Sequence, residues 1–330
     1  MIFTLLGCLL LCFLVFIVGL IFYDFIPLIR DEDDDYSPLT AISVDIVITW
    51  VNLSDRAWQR RFEKAYKTVN PAVVSRHNSP DTNVDVEESL EYSIKLILKN
   101  LPWVRTIFIL TQDQIPRAAS LHDKIKVVHH RDVFTDKNML SFNAMYIQSQ
   151  IASIPGLSSR FIFMADDIFV VKPLPYSYFF TTLGLPVVRP KPRAMISLRN
   201  SHVYSHIVAN TFRLVRHNLN HFLFAYSTVH GLIPCTRKLF NDAKHSIDED
   251  EWNKINVIRS QDDFDFVSFY LPSYMISACR DHVRVRVPRH DFYEGSTFAG
   301  NILDVNATTV CFNNGFNQNC LDYLDVRLSS

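Results

Sequence analysis

The stretch IPGLSSRFIFMADDIFVVKP, Ile154 to Pro173, decides how the rest of the chain is read. Phe161, Ile162, Phe163 and Met164 form a short apolar, aromatic run of the kind that makes a buried strand, and it stops at two adjacent carboxylates, Asp166 and Asp167. In open α/β sheets, ligands gather outside the carboxyl ends of the strands. Oxygen ligands placed there suit a hard cation such as Mg²⁺, and through it a phosphate-bearing substrate. Taken alone, an Asp-Asp pair after a strand more often just solvates a strand-to-turn junction, so the metal-diphosphate reading needs support from the flanking sequence.

Working outward, the chain alternates strands and helices. VDIVITWV, Val44 to Val51, reads as a first buried strand ending at Asn52. Ser54 to Thr68 carries Trp58, Phe62 and Tyr66 at helical spacing behind a Ser54 cap, and a polar loop with Pro71 and Pro80 follows. Val86 to Asn100 is a helix with Leu90, Ile94, Ile97 and Leu98 on one side, closed by Pro102. Val104 to Thr111 and Lys124 to His129 are strands, Phe142 to Ile154 a helix, and Arg160 to Ala165 the strand that delivers the acid pair. This alternation predicts an α/β, Rossmann-like, mostly parallel sheet with flanking helices and right-handed crossovers. With only 8 Gly there is no dinucleotide or Walker fingerprint, so a bound diphosphate has to be held by metal and by Arg or Lys. Beyond the sheet, Pro186, Pro190 and Pro192 punctuate an irregular passage. Helices over 202–219, 236–245 and 263–278 make the second half more helical, and the tail from Arg284 mixes a short strand with polar, Asn-rich loops.

The ends and composition bound the setting. At 330 residues and 48% hydrophobic content the chain can bury a large core, and a formal net charge of -1 excludes any global attraction to nucleic acid. The basic clusters at 189–193 and 280–289 are small enough to be solvated faces. No Lys or Arg occurs in 1–29, and Ile2 to Tyr23 is long enough to cross a bilayer. Without a basic start or a cleavage signal it reads as an uncleaved transmembrane signal anchor over 1–29. An acidic stem over 30–43, Arg30 followed by Asp31 to Asp35, leads to a single large domain over 44–330. The acidic flank favours the non-cytoplasmic side, hence a single-pass type II membrane protein in the Golgi or another secretory lumen. Sequons at Asn52 and Asn306 fit that compartment. Cys8 and Cys12 lie in the anchor, leaving Cys235, Cys279, Cys311 and Cys320. Cys311 and Cys320 bracket a polar loop and are the first disulfide to expect.

Several ordered stretches resemble one family, the Stealth proteins, which include bacterial capsule phosphotransferases and the lysosomal-enzyme N-acetylglucosamine-1-phosphotransferase. DIVITWVN, Asp45 to Asn52, looks like the family's first block. SLEYSIKLILKNLPWVRTIFILTQDQIP, Ser89 to Pro116, and SFNAMYIQSQIASIPGLSSRFIFMADDIF, Ser141 to Phe169, look like its long and most specific second block. VHGLIPCTRKLF, Val229 to Phe240, and RSQDDFDFVSFYLPSYMIS, Arg259 to Ser277, look like the third, and VCFNNGF, Val310 to Phe316, like a degraded fourth.

The resemblance implies transfer of a sugar 1-phosphate from a nucleotide-activated sugar, such as a UDP-N-acetylhexosamine, to a hydroxyl of a glycan or glycoprotein acceptor, with release of the nucleoside monophosphate. Such chemistry needs a cation, a base and fixed positive charge. The resemblance assigns Asp166 and Asp167 to a divalent metal, Mg²⁺ or Mn²⁺, His230 to the base, Arg259 to the phosphoryl oxygens and Asp263 to Arg259 or the acceptor. His230 is selected among 12 His by its motif position alone. The resemblance further implies that Asn52, Lys95 and Asn313 contact substrate. The chain departs from the family pattern at Ala165, where Asn is common, at Met139 to Phe142, at Lys95 for Arg, at Gln148 for Glu, and at Asn314, where a carboxylate is lost. Two other readings compete: a metal-dependent glycosyltransferase that moves the sugar alone, and an inactive glycan-binding relative.

Overall fold

Branched and aromatic residues on both faces of a strand demand apolar cover on both sides, and the sheet obtains it. The computed structural model describes residues 43–66, 86–137, 139–142, 144–182, 184–188, 190–194, 224–228, 231–245, 284–285, 292–294, 307–312, 316 and 318–330, with Leu14 alone in the N-terminal segment. The anchor read at 2–23, the stem, the helices read at 202–219 and 263–278, and the site candidates His230, Arg259, Asp263 and Asn313 lie outside the described residues. Among the described residues, no helix is long and apolar enough to cross a membrane.

Five strands form the main sheet: β1 (Val44–Thr49), β2 (Ile107–Thr111), β3 (Ile125–His129), β4 (Arg160–Ala165) and β9 (Ile233–Thr236), in the order β3-β2-β1-β4-β9. The first four are mutually parallel, with Thr49 in register with Leu110 on one side and Ala165 on the other. β9 is antiparallel to β4, Ile233 lying opposite Phe163. The predicted α/β, mostly parallel sheet is therefore present, closed by one antiparallel edge strand.

Alternation along the strands divides the core. Val47, Phe108, Leu110, Phe161 and Phe163 pack on one face with Phe134 and Ile151. Ile46, Ile48, Ile107, Ile109, Ile162 and Met164 pack on the other, against Leu90, Ile94 and Ile97 of helix α2 (Val86–Asn100). Helix α1 (Arg56–Tyr66) lays Trp58 and Phe62, stacked 5.0 Å apart, against Phe142 at 5.5 and 5.2 Å between ring centroids. Its N-terminus is capped by Asp55, whose Oδ1 accepts from Ala57 N, rather than by Ser54. The helix read over 142–154 is a single α segment, α4 (Ala144–Ser149), after the short α3 (His130–Val133), and a 3-10 turn completes it.

The second half holds more strand than the sequence suggested. β4 turns directly into β5 (Ile168–Val170), which pairs antiparallel with β12 (Thr309–Cys311), itself parallel to β11 (Phe292–Glu294). The proline-punctuated passage forms β6 (Val187–Val188) and β7 (Pro190–Ala194), paired with β10 (Arg284–Val285) and β8 (Phe224–Thr228). Each of these sheets has only two strands, so every strand is an edge and proline's missing donor costs no ladder bond on the outer side. Helix α5 (Arg237–His245) follows β9, and a C-terminal helix, α6 (Gln318–Ser329), replaces the loop expected there. Cys320, Tyr323 and Leu324 line its buried face, at one-turn spacing.

The expected Cys311–Cys320 disulfide is not formed; both residues are thiols. On β12, Val310 packs on the side of Cys320, and so does Phe312 just beyond it, whereas Cys311 belongs to the opposite core cluster. Strand alternation thus turns the two sulfurs toward different cores.

Candidate active site

The strand order places β1 between β2, which follows it in sequence, and β4, to which the chain returns from β3. Such a reversal is a topological switch point, and its carboxyl end is where open α/β sheets bind ligands. Asp166 and Asp167 occupy that end, as the two-residue turn between β4 and β5. The turn lets adjacent residues serve one site, which a continuous strand would forbid by sending their side chains to opposite faces.

The pair is anchored from β12. Phe312 N donates to Asp167 O at 3.1 Å, and the Cys311 thiol lies 3.3 Å from Asp167 Oδ2. Asp167 Oδ1 is buried and has no hydrogen-bond partner among the described residues. Burial, and then the neighbouring Asp167 carboxylate, push Asp166 up to about 7, although the residue retains some solvent exposure. Two crowded carboxylates of which one resists ionisation present a deficit of positive charge. A cation would relieve it.

Across the switch point, the loop after β1 is fixed by the loop after β2. Gln114 is buried and holds the backbone of Asn52 at both ends: its Oε1 accepts from Asn52 N and its Nε2 donates to Asn52 O, each at 2.9 Å. The same Nε2 reaches Asp55 Oδ2 at 3.0 Å, and this bond, first among several, holds the Asp55 carboxyl below its usual range. Asn52 Oδ1 accepts from Ser54 N at 2.9 Å, so the Asn52 side chain starts the turn into α1. Asp113 sits at φ 53 between Gln112 and Gln114, and its carboxylate pairs with Arg131 Nη1 at 2.7 Å, joining the β2 and β3 edges. The left-handed backbone at this position is one that Asp and Asn tolerate better than most residues.

Of the site residues read from the sequence, Asp166, Asp167 and Asn52 lie on the same sheet edge. Lys95 lies on the exposed face of α2, its Nζ 5.4 Å over the Tyr92 ring, while Ser93 and Asn100 on the inner face bond the β5 carbonyls of Ile168 and Val170. His230, Arg259, Asp263 and Asn313 are outside the described residues. Strand β9, which follows His230, begins beside the acid-pair end of β4, and buried Gly231 lies just before it. Cys311 and Gln114 were not read from the sequence as site residues. Cys311 sits in the quoted VCFNNGF stretch and Gln114 in TQDQIP, so motif membership was the available signal.

A family model described as Stealth protein conserved region 2 matches residues 83–188. The capsular polysaccharide phosphotransferase LcbA of Aeromonas hydrophila is 28% identical over 233 residues, 69% of this chain and 64% of that protein. A capsular polysaccharide phosphotransferase of Neisseria meningitidis serogroup B is 29% identical over 243 residues, covering 70% and 64%. The capsular polysaccharide phosphotransferase fcs1 of Haemophilus influenzae is 33% identical over 250 residues, covering 72% and 66%. The chain thus spans slightly less than two thirds of the length of these relatives. Among solved structures, the galactosyltransferase LgtC with donor and acceptor sugar analogs aligns over 86% of this chain and 95% of its own, with 9% identity and a TM-score of 0.46, too low to assign a fold or a function. With its conserved region 2 running from α2 through the acid pair to β6, the chain belongs to the Stealth family.

Proposed function

We propose that the protein is a phosphotransferase that moves a sugar 1-phosphate from a nucleotide-activated sugar to a hydroxyl of a glycan acceptor. The observation that carries the proposal is the Asp166–Asp167 turn at the switch point, with one buried carboxylate oxygen unpartnered and its neighbour held near neutral. The relatives' names, capsular polysaccharide phosphotransferases, support the reaction class.

The donor set suits a divalent cation shared with substrate. Among the described residues no group of three or more His, Cys, Asp or Glu could form an all-protein cage. Mg²⁺ is commonly held by one or two carboxylates plus substrate phosphates, which is what this turn offers. When bound, the ion offsets phosphoryl charge; the chain's own residues do the rest. Asp166 and Asp167 hold the ion, and the forked donors of Arg259 hold the phosphoryl oxygens. His230 accepts the proton of the attacking hydroxyl. The hydroxyl oxygen bonds to the sugar-bearing phosphorus, the bond from that phosphorus to the bridging oxygen breaks, and the nucleoside monophosphate leaves with the electron pair. Asp263 orients Arg259 or the acceptor, and Asn52 and Asn313 contact substrate.

The deciding experiment offers the protein a panel of nucleotide sugars with Mg²⁺ or Mn²⁺ and glycan acceptors, and identifies the nucleotide released. Nucleoside monophosphate supports phosphoryl transfer, diphosphate indicates glycosyl transfer instead, and binding without turnover indicates an inactive relative. His230→Ala is expected to lower kcat far more than it weakens donor binding, because a base acts in the transition state; unchanged turnover removes His230 from the mechanism. The proposal includes a type II anchor and a secretory lumen. Asn306 is the sequon to follow, since the Asn52 side chain closes a turn. Glycosidase-sensitive mobility supports lumenal placement, and cytoplasmic protease access to the domain overturns the topology while leaving the chemistry.

A further inference from the structure

Buried polar atoms without partners also occur at the other end of the same sheet edge. Gln112, directly after β2, is 4% exposed, and neither its Nε2 nor its Oε1 has a hydrogen-bond partner among the described residues. Arg61 of α1 donates through Nη2 to Gln112 O at 3.3 Å, and its Nε is likewise buried and unpartnered. His130, opening α3 after β3, is 8% exposed with its Nδ1 unpartnered and its ring stacked on Phe134 at 5.2 Å. An unpaired buried amide carries its full desolvation penalty, so native chains rarely keep one without a use. These groups come from separate segments, and the Asp113–Arg131 ion pair draws the β2 and β3 loops together beside them.

We infer that Gln112, with Arg61 and His130 beside it, reads the nucleobase of the donor at the β2–β3 end of the sheet edge, the acid pair holding the phosphates at the β4 end. The inference rests on the transferase reading above and deepens it. Chemistry selects a base over a second phosphate. The Gln112 amide presents a donor and an acceptor side by side, whereas a phosphate offers acceptors only and would set its oxygens against Oε1. Burial first of all pushes His130 down to about 4, so its ring is neutral near pH 7 and also offers one donor and one acceptor. A nucleobase edge carries both kinds of group. Spacing agrees: β1 alone separates β2 from β4, so the two ends lie roughly 10 Å apart by strand geometry, a separation that a nucleotide can bridge.

The test titrates the purified full chain, with Mg²⁺, against the 5′-diphosphates of uridine, cytidine, adenosine and guanosine, against inorganic pyrophosphate, and against the matching nucleotide sugars with and without an acetamido group. Wild type is expected to prefer one base by about tenfold or more, because a site that leaves polar groups unpaired discriminates strongly. Gln112→Leu is expected to bring that preference close to unity while pyrophosphate still binds. Gln112→Asn keeps the amide but shortens its reach, and is expected to give an intermediate preference; it carries the test if the Leu variant does not fold. A preference that survives in the variant overturns the inference, and so does one that follows the acetamido group instead of the base. Binding of pyrophosphate with all four bases alike overturns base reading alone, whereas binding of neither pyrophosphate nor any nucleotide overturns the transferase reading with it.

Discussion

At Asp166 and His130 the structure bends two ordinary titrations in opposite directions. Asp166 binds its proton up to about 7 in the folded chain against 3.8 for an ordinary aspartate. Between those values only the folded state holds the proton, so its contribution to stability is complete below the lower value and is lost as pH rises toward 7. His130 drops from 6.5 to about 4, so its contribution is complete above 6.5 and is lost as pH falls toward 4. The two slopes oppose each other over much of the same window, and a plain stability profile would blur them. A divalent cation competes with the Asp166 proton. The rise in Tm on adding Mg²⁺ is therefore expected to be larger at pH 8 than at pH 5, and Asp167→Asn is expected to abolish most of it; calorimetric melts at both pH values check this. At the opposite edge of the sheet, Asp45 is fully buried, with Arg105 Nε at 2.8 Å and Ser158 N at 2.7 Å. Asp45→Ala strips the partner from a half-exposed guanidinium and a backbone donor. It is expected to cost roughly 3 kcal/mol in urea unfolding without changing the metal response.

Elements were legible where period and burial agreed. β1 beyond Asp45 and β4 beyond Arg160 show apolar runs because both faces are covered, and α2 repeats its apolar residues every three or four positions because one face is. The acid turn could be read because carboxylates abruptly end an apolar strand. α6 was hidden by its polar, Asn-rich approach and by aromatic and charged residues that conceal a single buried stripe. Its helix is fixed by partners far away in sequence: Tyr92 Oη donates to Asp325 Oδ1 at 2.6 Å, and Lys99 Nζ donates to the carbonyls of Arg327 and Leu328 at 3.0 and 2.9 Å. β9 was missed because its four residues gain strand character only from pairing with β4, and β6 and β7 because prolines argue against a strand except at an edge. The docking of α6 yields a direct expectation. Tyr323 is fully buried against Phe312, with ring centroids 6.3 Å apart, so Tyr323→Ala is expected to lower unfolding free energy by roughly 3–5 kcal/mol, measured by denaturant titration.

For the molecule as a whole, the two edges of the main sheet are built on different terms. At the amino end the charged groups are satisfied: Asp45, Arg105 and Ser158 close on one another and on backbone, and the buried atom left without a partner there among the described residues is a neutral hydroxyl, that of Tyr176 beside Trp103. The carboxyl end keeps a buried carboxylate oxygen and a buried amide without partners, at the switch point that strand order creates. Sites of this kind hold local instability that is relieved on ligand binding, whereas a scaffold has no reason to keep it. Substitutions that remove the unpaired groups are therefore expected to separate stability from function. Asp167→Asn removes the like-charge repulsion with Asp166, and Gln112→Leu replaces two unpaired polar atoms with an apolar side chain of similar length. Each is expected to hold or raise the metal-free Tm, by about 1–3 kcal/mol in unfolding free energy, while donor turnover falls. The core change Ile162→Ala, in the middle of β4, is expected to do the reverse, costing roughly 2–5 kcal/mol while the folded fraction keeps its turnover per molecule. Paired melts and turnover assays on the three variants test the division: if Asp167→Asn or Gln112→Leu destabilises as Ile162→Ala does, the carboxyl edge is scaffold and the assignment of the site to it fails.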